Sequence, residues 1–333
     1  MNNFEQGVLR QGKLTSLLIH ILLLSALFLT NAAYAGTLPH EKIPEKHHVF
    51  IIYSADNTLH SNIIQKLSEN LTLKHSDIII SKVTPEETII KIDNNADIIV
   101  AIGAEGMRSA NKYYPTTNKL FISTDPEKFR LDSHANKNDA ILYMTQSYCR
   151  QMQFIKLIKD DWKVVSLLSS EKKPANSINI QQCANKYGLE IYTVNTADNE
   201  NMTDHVKSAL NHSDLLLALP DKNIYNSNSV KNILLTSYRH RKPVIAFSRN
   251  FVSAGALASI HSNIEQVAQS ASSLIQQYFE TGHQFINPVN YPQTFDISIN
   301  RQVFRALNLT SPDVDKLRQM LEQTEAGKAE VPE

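Results

Sequence analysis

The residues placed to do chemistry are polar ones that directly follow short apolar runs. Ser54 and Asp56 follow HVFIIY, Gly103 and Ala104 follow DIIVAI, and Thr124 and Asp125 follow KLFIS. Ser170 and Asn176 come after KVVSLL, Asp221 after DLLLAL, and Ser248 and Arg249 after PVIAF. Hydroxyls and the bare amides of small residues offer neutral hydrogen bonds. Asp125 or Asp221 pairs a cationic amino group, and Arg249 pairs a carboxylate. Two charged hydrogen bonds at about 1.5–3 kcal/mol each are enough to orient a small solute. Any one of these residues also reads as a helix N-cap or a turn. Their recurrence after successive strands points to a shared ligand surface.

Signatures of catalysis are missing from the sequence. It has no G-x-S-x-G, no H-E-x-x-H, no phosphate-binding Gly-Lys-Ser/Thr loop and no glycine-rich turn after the first strand. Gly103-Ala-Glu-Gly106 has two glycines but reads as a tight strand-to-helix turn whose amides can face a ligand. Glu86 and Glu87, just after Pro85, suit a helix start. The 12 histidines do not cluster with Cys149 and Cys183, so neither a metal nor a cofactor is implied. Those cysteines are the only two, on segments read as helices, and spacing leaves a bonded pair and two buried thiols equally open. With 33 basic and 33 acidic residues, the chain carries no electrostatic footprint for nucleic acid.

The elements that must hold these residues alternate. From His48 onward, β-branched runs of strand length are separated by longer stretches with helical spacing, such as Leu59, Ile63, Ile64, Leu67 and Leu71. That alternation predicts α/β architecture, with parallel sheets covered by helices. The pattern restarts after a polar stretch from Asp132 to Asp139, which gives two successive sets and hence two lobes. The expected division is 36–145 plus 262–288 for the first lobe, 146–261 plus 289–320 for the second, and a disordered tail over 321–333.

The first 35 residues have the order of a cleavable export signal. Arg10 and Lys13 precede an apolar run from Leu14 to Leu29, and Ala33-Tyr34-Ala35 ends just before Gly36. No cysteine follows that run to carry a lipid, so a free protein in the periplasm of a two-membrane bacterium is expected.

Four segments together resemble the substrate-binding proteins of an uncharacterised group of ABC-type importers, some of whose members bind aromatic amino acids. They are PVIAFSRNFVSAGALASI (243–260), ISTDPEKF (122–129), LALPDKNIYNSNSVKNILL (217–235) and DISINRQVFRALNL (296–309). The likeness runs over roughly residues 45 to 310. It implies a two-lobed periplasmic-binding-protein fold of the first type, closing by a hinge on a ligand between the lobes. The implied role is capture of a small polar molecule such as an amino acid by a monomer that delivers it to an inner-membrane ABC permease. A sensor reporting to a membrane signalling receptor is the alternative, and enzymatic activity is not implied. Three departures from the family pattern keep ligand identity from carrying over: Glu105 in place of a small polar residue, Lys172-Lys173, and a loop at 132–139 without glycine.

Overall fold

The computed structural model describes residues 46–54, 56–74, 77–89, 95–123, 138–171, 177–197 and 201–329. The leader, the candidates Thr124, Asp125 and Asn176, and most of the 132–139 loop therefore lie outside the described residues.

Two six-stranded sheets form, as the alternation predicts. The first contains β1 (His47–Ile52), β2 (Ile78–Val83), β3 (Ile98–Ile102), β4 (Lys119–Ser123), β5 (Ala140–Tyr143) and β11 (Val289–Asn290). Its order is β2-β1-β3-β4-β5-β11, and all of its pairs are parallel. The second contains β6 (Val164–Ser169), β7 (Glu190–Asn195), β8 (Leu215–Leu217), β9 (Val244–Ala246), β10 (Ala258–His261) and β12 (Asp296–Ile299), ordered β7-β6-β8-β9-β10-β12. The two orders are the same topology used twice, except that β12 runs antiparallel to β10.

Apolar residues on both faces of each strand require cover on both sides. On one face of the first sheet, Val49, Ile51, Ile98 and Val100 meet Ile63, Leu67 and Leu71 of α1 (Thr58–Lys74) and Ala268, Ala271 and Ile275 of α8 (Ile264–Glu280). On the other face, Phe50, Ile52 and Ile99 meet Met107 and Ala110 of α2 (Gly103–Tyr113). The second sheet is covered on one side by α3 (Tyr148–Ile158), α4 (Ser177–Lys186), α9 (Arg301–Ala306) and α10 (Val314–Ala329). Its other side carries α5 (Met202–Asn211), α6 (Val230–Arg239) and α7 (Arg249–Ala254).

Three features differ from the sequence reading. The run AILY forms β5, whose four residues are all buried; four apolar residues beside a polar stretch are too few to separate strand from loop by period. Val289 and Asn290, expected in the second lobe, pair with Ile141 and Leu142 of the first sheet, so the last passage between sheets falls after Asn290. Of the tail expected to be disordered over 321–333, residues 321–329 instead form the second half of α10. Leu317 and Leu321, one turn apart, are 3% and 0% exposed in the second lobe's core and anchor the helix there.

The chain passes between the sheets three times, at 144–147, 262–263 and 291–295, and one hydrogen-bonded network ties the passages together. Gln146 Nε2 donates to Ser262 Oγ at 2.6 Å, and Ser262 Oγ donates to Thr294 O at 2.8 Å. Arg150, 8% exposed on α3, donates to Gln146 Oε1 and, at 2.9 Å, to Pro292 O. Its guanidinium lies 4.8 Å from the centroid of the Phe295 ring, an attractive cation–π placement.

Cys149, next to Arg150, is joined by a disulfide to Cys183 of α4, closing a sequence separation of 34 residues. By chain entropy a loop of that size stabilises the fold by about 3–4 kcal/mol. The Cys149→Ala/Cys183→Ala double variant is expected to lose that amount in urea unfolding, and dithiothreitol is expected to reproduce the loss in the wild type but not in the variant.

Candidate functional site

In each sheet the chain leaves its first strand toward one side and its third toward the other. That reversal opens a crevice at the carboxyl ends of β1 and β3 and again at those of β6 and β8, the place where open α/β sheets bind ligands. The chain leaves β5 and β10 from their carboxyl ends into the passages between sheets. Both carboxyl edges are therefore turned to the hinge.

Ser54 and Asp56 sit at the first crevice beside Gly103 and Ala104. Asn57 starts α1 there, its side chain accepting from His60 N at 3.2 Å. Across the crevice Ser54 Oγ donates to Glu105 Oε2 at 3.4 Å. Gly103 has φ +75°, and a Cβ there would meet His60 Cε1 at 2.4 Å. A Cβ at Gly106 would lie 2.8 Å from Ile52 O. These two glycines let the first turn of α2 settle on the end of β1 and on the His60 ring. The first of them is a feature the sequence signalled as a turn.

At the second crevice Ser170 and Asp221 are joined directly. Asp221 Oδ2 accepts from Ser170 Oγ at 2.5 Å and from Ser170 N at 3.2 Å, while its Oδ1 accepts from Asn223 N at 2.9 Å. Asn223 Nδ2 completes the ring by donating to Ser170 Oγ at 3.3 Å. The carboxylate thus clamps the loop after β6 to the loop after β8. Charged hydrogen bonds of this kind fix the serine hydroxyl in one orientation.

Ser248 and Arg249 stand one strand further along, after β9. Ser248 caps α7 by accepting from Phe251 N at 3.4 Å. Arg249 is exposed and lies near His261 and the groove beside β12, apart from the Ser170–Asp221 ring. The structure thus gathers the described candidates into two crevice sets, with Ser248 and Arg249 outside them.

Sequence reasoning passed over His60, whereas Glu105 stands both among the strand-end candidates and as a departure from the family pattern. Nothing in periodicity marks His60, because it occupies an ordinary position in the first turn of α1. Its Nδ1 is enclosed and has no hydrogen-bond partner among the described residues. Burial lowers its pKa below the usual 6.5, with nearby Asp56 acting in the opposite direction. His261 is lowered as well, first by burial, with Asp296 opposing and Arg249 adding to the effect. Ser259 Oγ lies 3.0 Å from its Nδ1.

Both imidazoles resist protonation more in the folded chain than in the unfolded one. Stability from this source is complete above about pH 6.5 and declines as pH falls below it, until the folded imidazoles take up their protons. His60→Gln is expected to flatten part of that acid decline in urea unfolding between pH 7.5 and 5. Coincident pH slopes for the variant and the wild type would contradict the assignment. Gly103→Ala is expected to destabilise by at least about 1 kcal/mol at every pH, since it adds both the left-handed backbone penalty and the His60 clash.

No curated protein sequence matches the chain. Among solved structures, an ABC domain from Streptococcus pneumoniae in complex with L-Trp aligns with TM-score 0.54 and 16% identity, covering 82% of this chain and 98% of that one. A ligand-free, open substrate-binding protein with adhesive properties from Clostridium difficile aligns with TM-score 0.59 and 16% identity, covering 80% and 96%. A conserved domain protein from Vibrio cholerae aligns with TM-score 0.54 and 16% identity, covering 83% and 98%. At such identities the likeness is one of fold, the two-lobed fold of type I periplasmic binding proteins. The family model described as ABC transporter substrate binding protein matches residues 81–317, a span that runs from β2 to α10 and takes in the second crevice and the β3–α2 side of the first. The chain belongs to the ABC transporter substrate-binding protein family.

Proposed function

We propose that the chain is a periplasmic solute-binding protein that captures a small polar molecule, an amino acid in the first instance, between its lobes and delivers it to an ABC importer. The observation that carries this reading is the doubled crevice: the same strand reversal, lined with polar groups, at the two carboxyl edges that face the hinge. In this reading the lobes are the two sheets with their helices, and residues 1–35 are the export signal.

Within this proposal the first lobe offers the Ser54 hydroxyl and the amides of Gly103 and Ala104. Glu105, exposed in the first turn of α2, places a negative charge where an anionic group would otherwise be favoured. The first crevice therefore suits the ammonium end of a zwitterion, with Asp56 adding to the same sign. Ser170, held by Asp221, supplies a hydrogen bond from the second lobe, and Ser248 and Arg249, which stand outside both crevices, take no part in this reading. This reading is one of binding rather than turnover: every named group orients a solute, and the family is one of substrate-binding proteins. Closure about the Arg150 network then buries the solute.

A thermal-shift screen of the mature chain against the common amino acids tests the reading, beginning with the aromatic ones, since the Streptococcus pneumoniae protein carries L-Trp. A binder at 100 times its Kd is expected to add about 2.7 kcal/mol of stability. Small-angle scattering with that binder is expected to show a smaller radius of gyration, and Ser170→Ala or Glu105→Gln to weaken it. The absence of any shift across amino acids, peptides, nucleosides and sugars would overturn the reading.

A further inference from the structure

The second sheet ends at β12, and the groove beside that strand has the form of a slot. It encloses about 860 Å³ and is lined by every residue from Asp296 to Gln302. Val252 of α7 packs in the core on one face of the sheet, and Leu317 of α10 in the core on the opposite face. Arg249, Val252 and Ser253 on α7 and Val314 and Arg318 on α10 complete the lining. The edge of the sheet is thus flanked by a helix on each side.

The backbone of that edge is unpaired. Asn300 N donates to Leu257 O at 2.8 Å, and β12 pairs with β10 through Ser298↔Ser259 and Asp296↔His261. Hydrogen-bonding direction alternates along an antiparallel strand. Asp296, Ser298 and Asn300 therefore bond inward to β10, while Ile297 and Ile299 direct their N–H and C=O groups into the slot. β12 has no second neighbour among the described residues.

The charge of the slot is one-sided. Its one carboxylate, Asp296, already accepts from Asn263 Nδ2 at 3.0 Å and Gln266 Nε2 at 3.3 Å, and Arg318 lies 3.7 Å from it. Arg318 also donates to Phe295 O. Arg249 and Arg301 are exposed, with no ion pair to either among the described residues.

We propose that the slot is a docking site for an extended acidic peptide segment of a partner protein, which adds to the second sheet as a strand beside β12. The outward N–H and C=O groups of Ile297 and Ile299 supply main-chain hydrogen bonds. Side chains of the added strand alternate between the two helices, so acidic residues on one face meet Arg249 while apolar residues on the other meet Val314. Arg301 fixes the end of the segment. The site is separate from the Ser54–Gly103 and Ser170–Asp221 crevices and does not depend on what they bind.

The test uses two fluorescein-labelled peptides, acetyl-(Glu-Val)4-amide and acetyl-(Lys-Val)4-amide, titrated against the mature chain in fluorescence anisotropy. The acidic peptide is expected to bind saturably and the basic one not at all. Hydrogen exchange with the acidic peptide is expected to protect the amides of Ile297 and Ile299. Arg301→Glu, a surface change, is expected to weaken the peptide about ten-fold, the loss of one charged contact. Ile299→Pro removes an outward N–H without breaking the β10 ladder and is expected to abolish binding. Equal binding of the two peptides, protection elsewhere than β12, an unchanged affinity in Arg301→Glu, or association only with anionic phosphatidylglycerol vesicles would each overturn the proposal.

Discussion

Arg150 carries a charge into a place with little water, and the geometry between the lobes depends on how that charge is met. An unpaired buried guanidinium costs several kcal/mol, and Gln146, Pro292 and the Phe295 ring help to meet this one. Those three residues lie on or beside the first and third passages between the sheets, and Ser262 brings in the second. The passages consequently move as one group. A single buried cation thereby turns three separate crossings into a hinge whose parts cannot drift independently, and the disulfide at the neighbouring Cys149 fixes the helix from which the cation projects.

The crevices show a different economy of charge. Glu105 meets Ser54 across a gap of 3.4 Å with its carboxylate largely open to water, an interaction worth little and easily exchanged for one with a solute. Asp221 is committed: its two oxygens accept three hydrogen bonds, two from Ser170 in the loop after β6 and one from Asn223 in its own loop. One lobe therefore presents an adjustable acidic residue and the other a preset hydroxyl. A site built from one yielding and one rigid wall suits a receptor that must recognise a solute and still release it.

Much of the architecture was legible in the residues because it rests on period. The strand runs at His48, Asp97, Lys163 and Asp214 and the stripe from Leu59 to Leu71 carry their own signal, and the restart after Asp139 exposed the second lobe. What escaped was held by tertiary contact: β5 by its neighbours in the sheet, β11 by Ile141 and Leu142, and α10 by two leucines in an otherwise polar segment. The site followed the same rule. Strand-end positions were readable from the pattern, but the Ser170–Asp221 ring joins residues 51 apart in sequence. The packing of His60 beneath Gly103 is invisible until both are folded.

The placement of α8 sets the order in which the protein can be completed. The face of the first sheet that holds Val49 and Val100 is finished only by Val267, Ala271 and Ile275, more than 100 residues after β5 has been made. The second sheet waits in turn for Phe304, Leu317 and Leu321 near the end of the chain. Neither lobe can close its core until most of the chain has been made, and such late, distant contacts form slowly. A nascent chain of this design stays loose until translation is nearly over, the condition in which a polypeptide can still be threaded through a narrow pore.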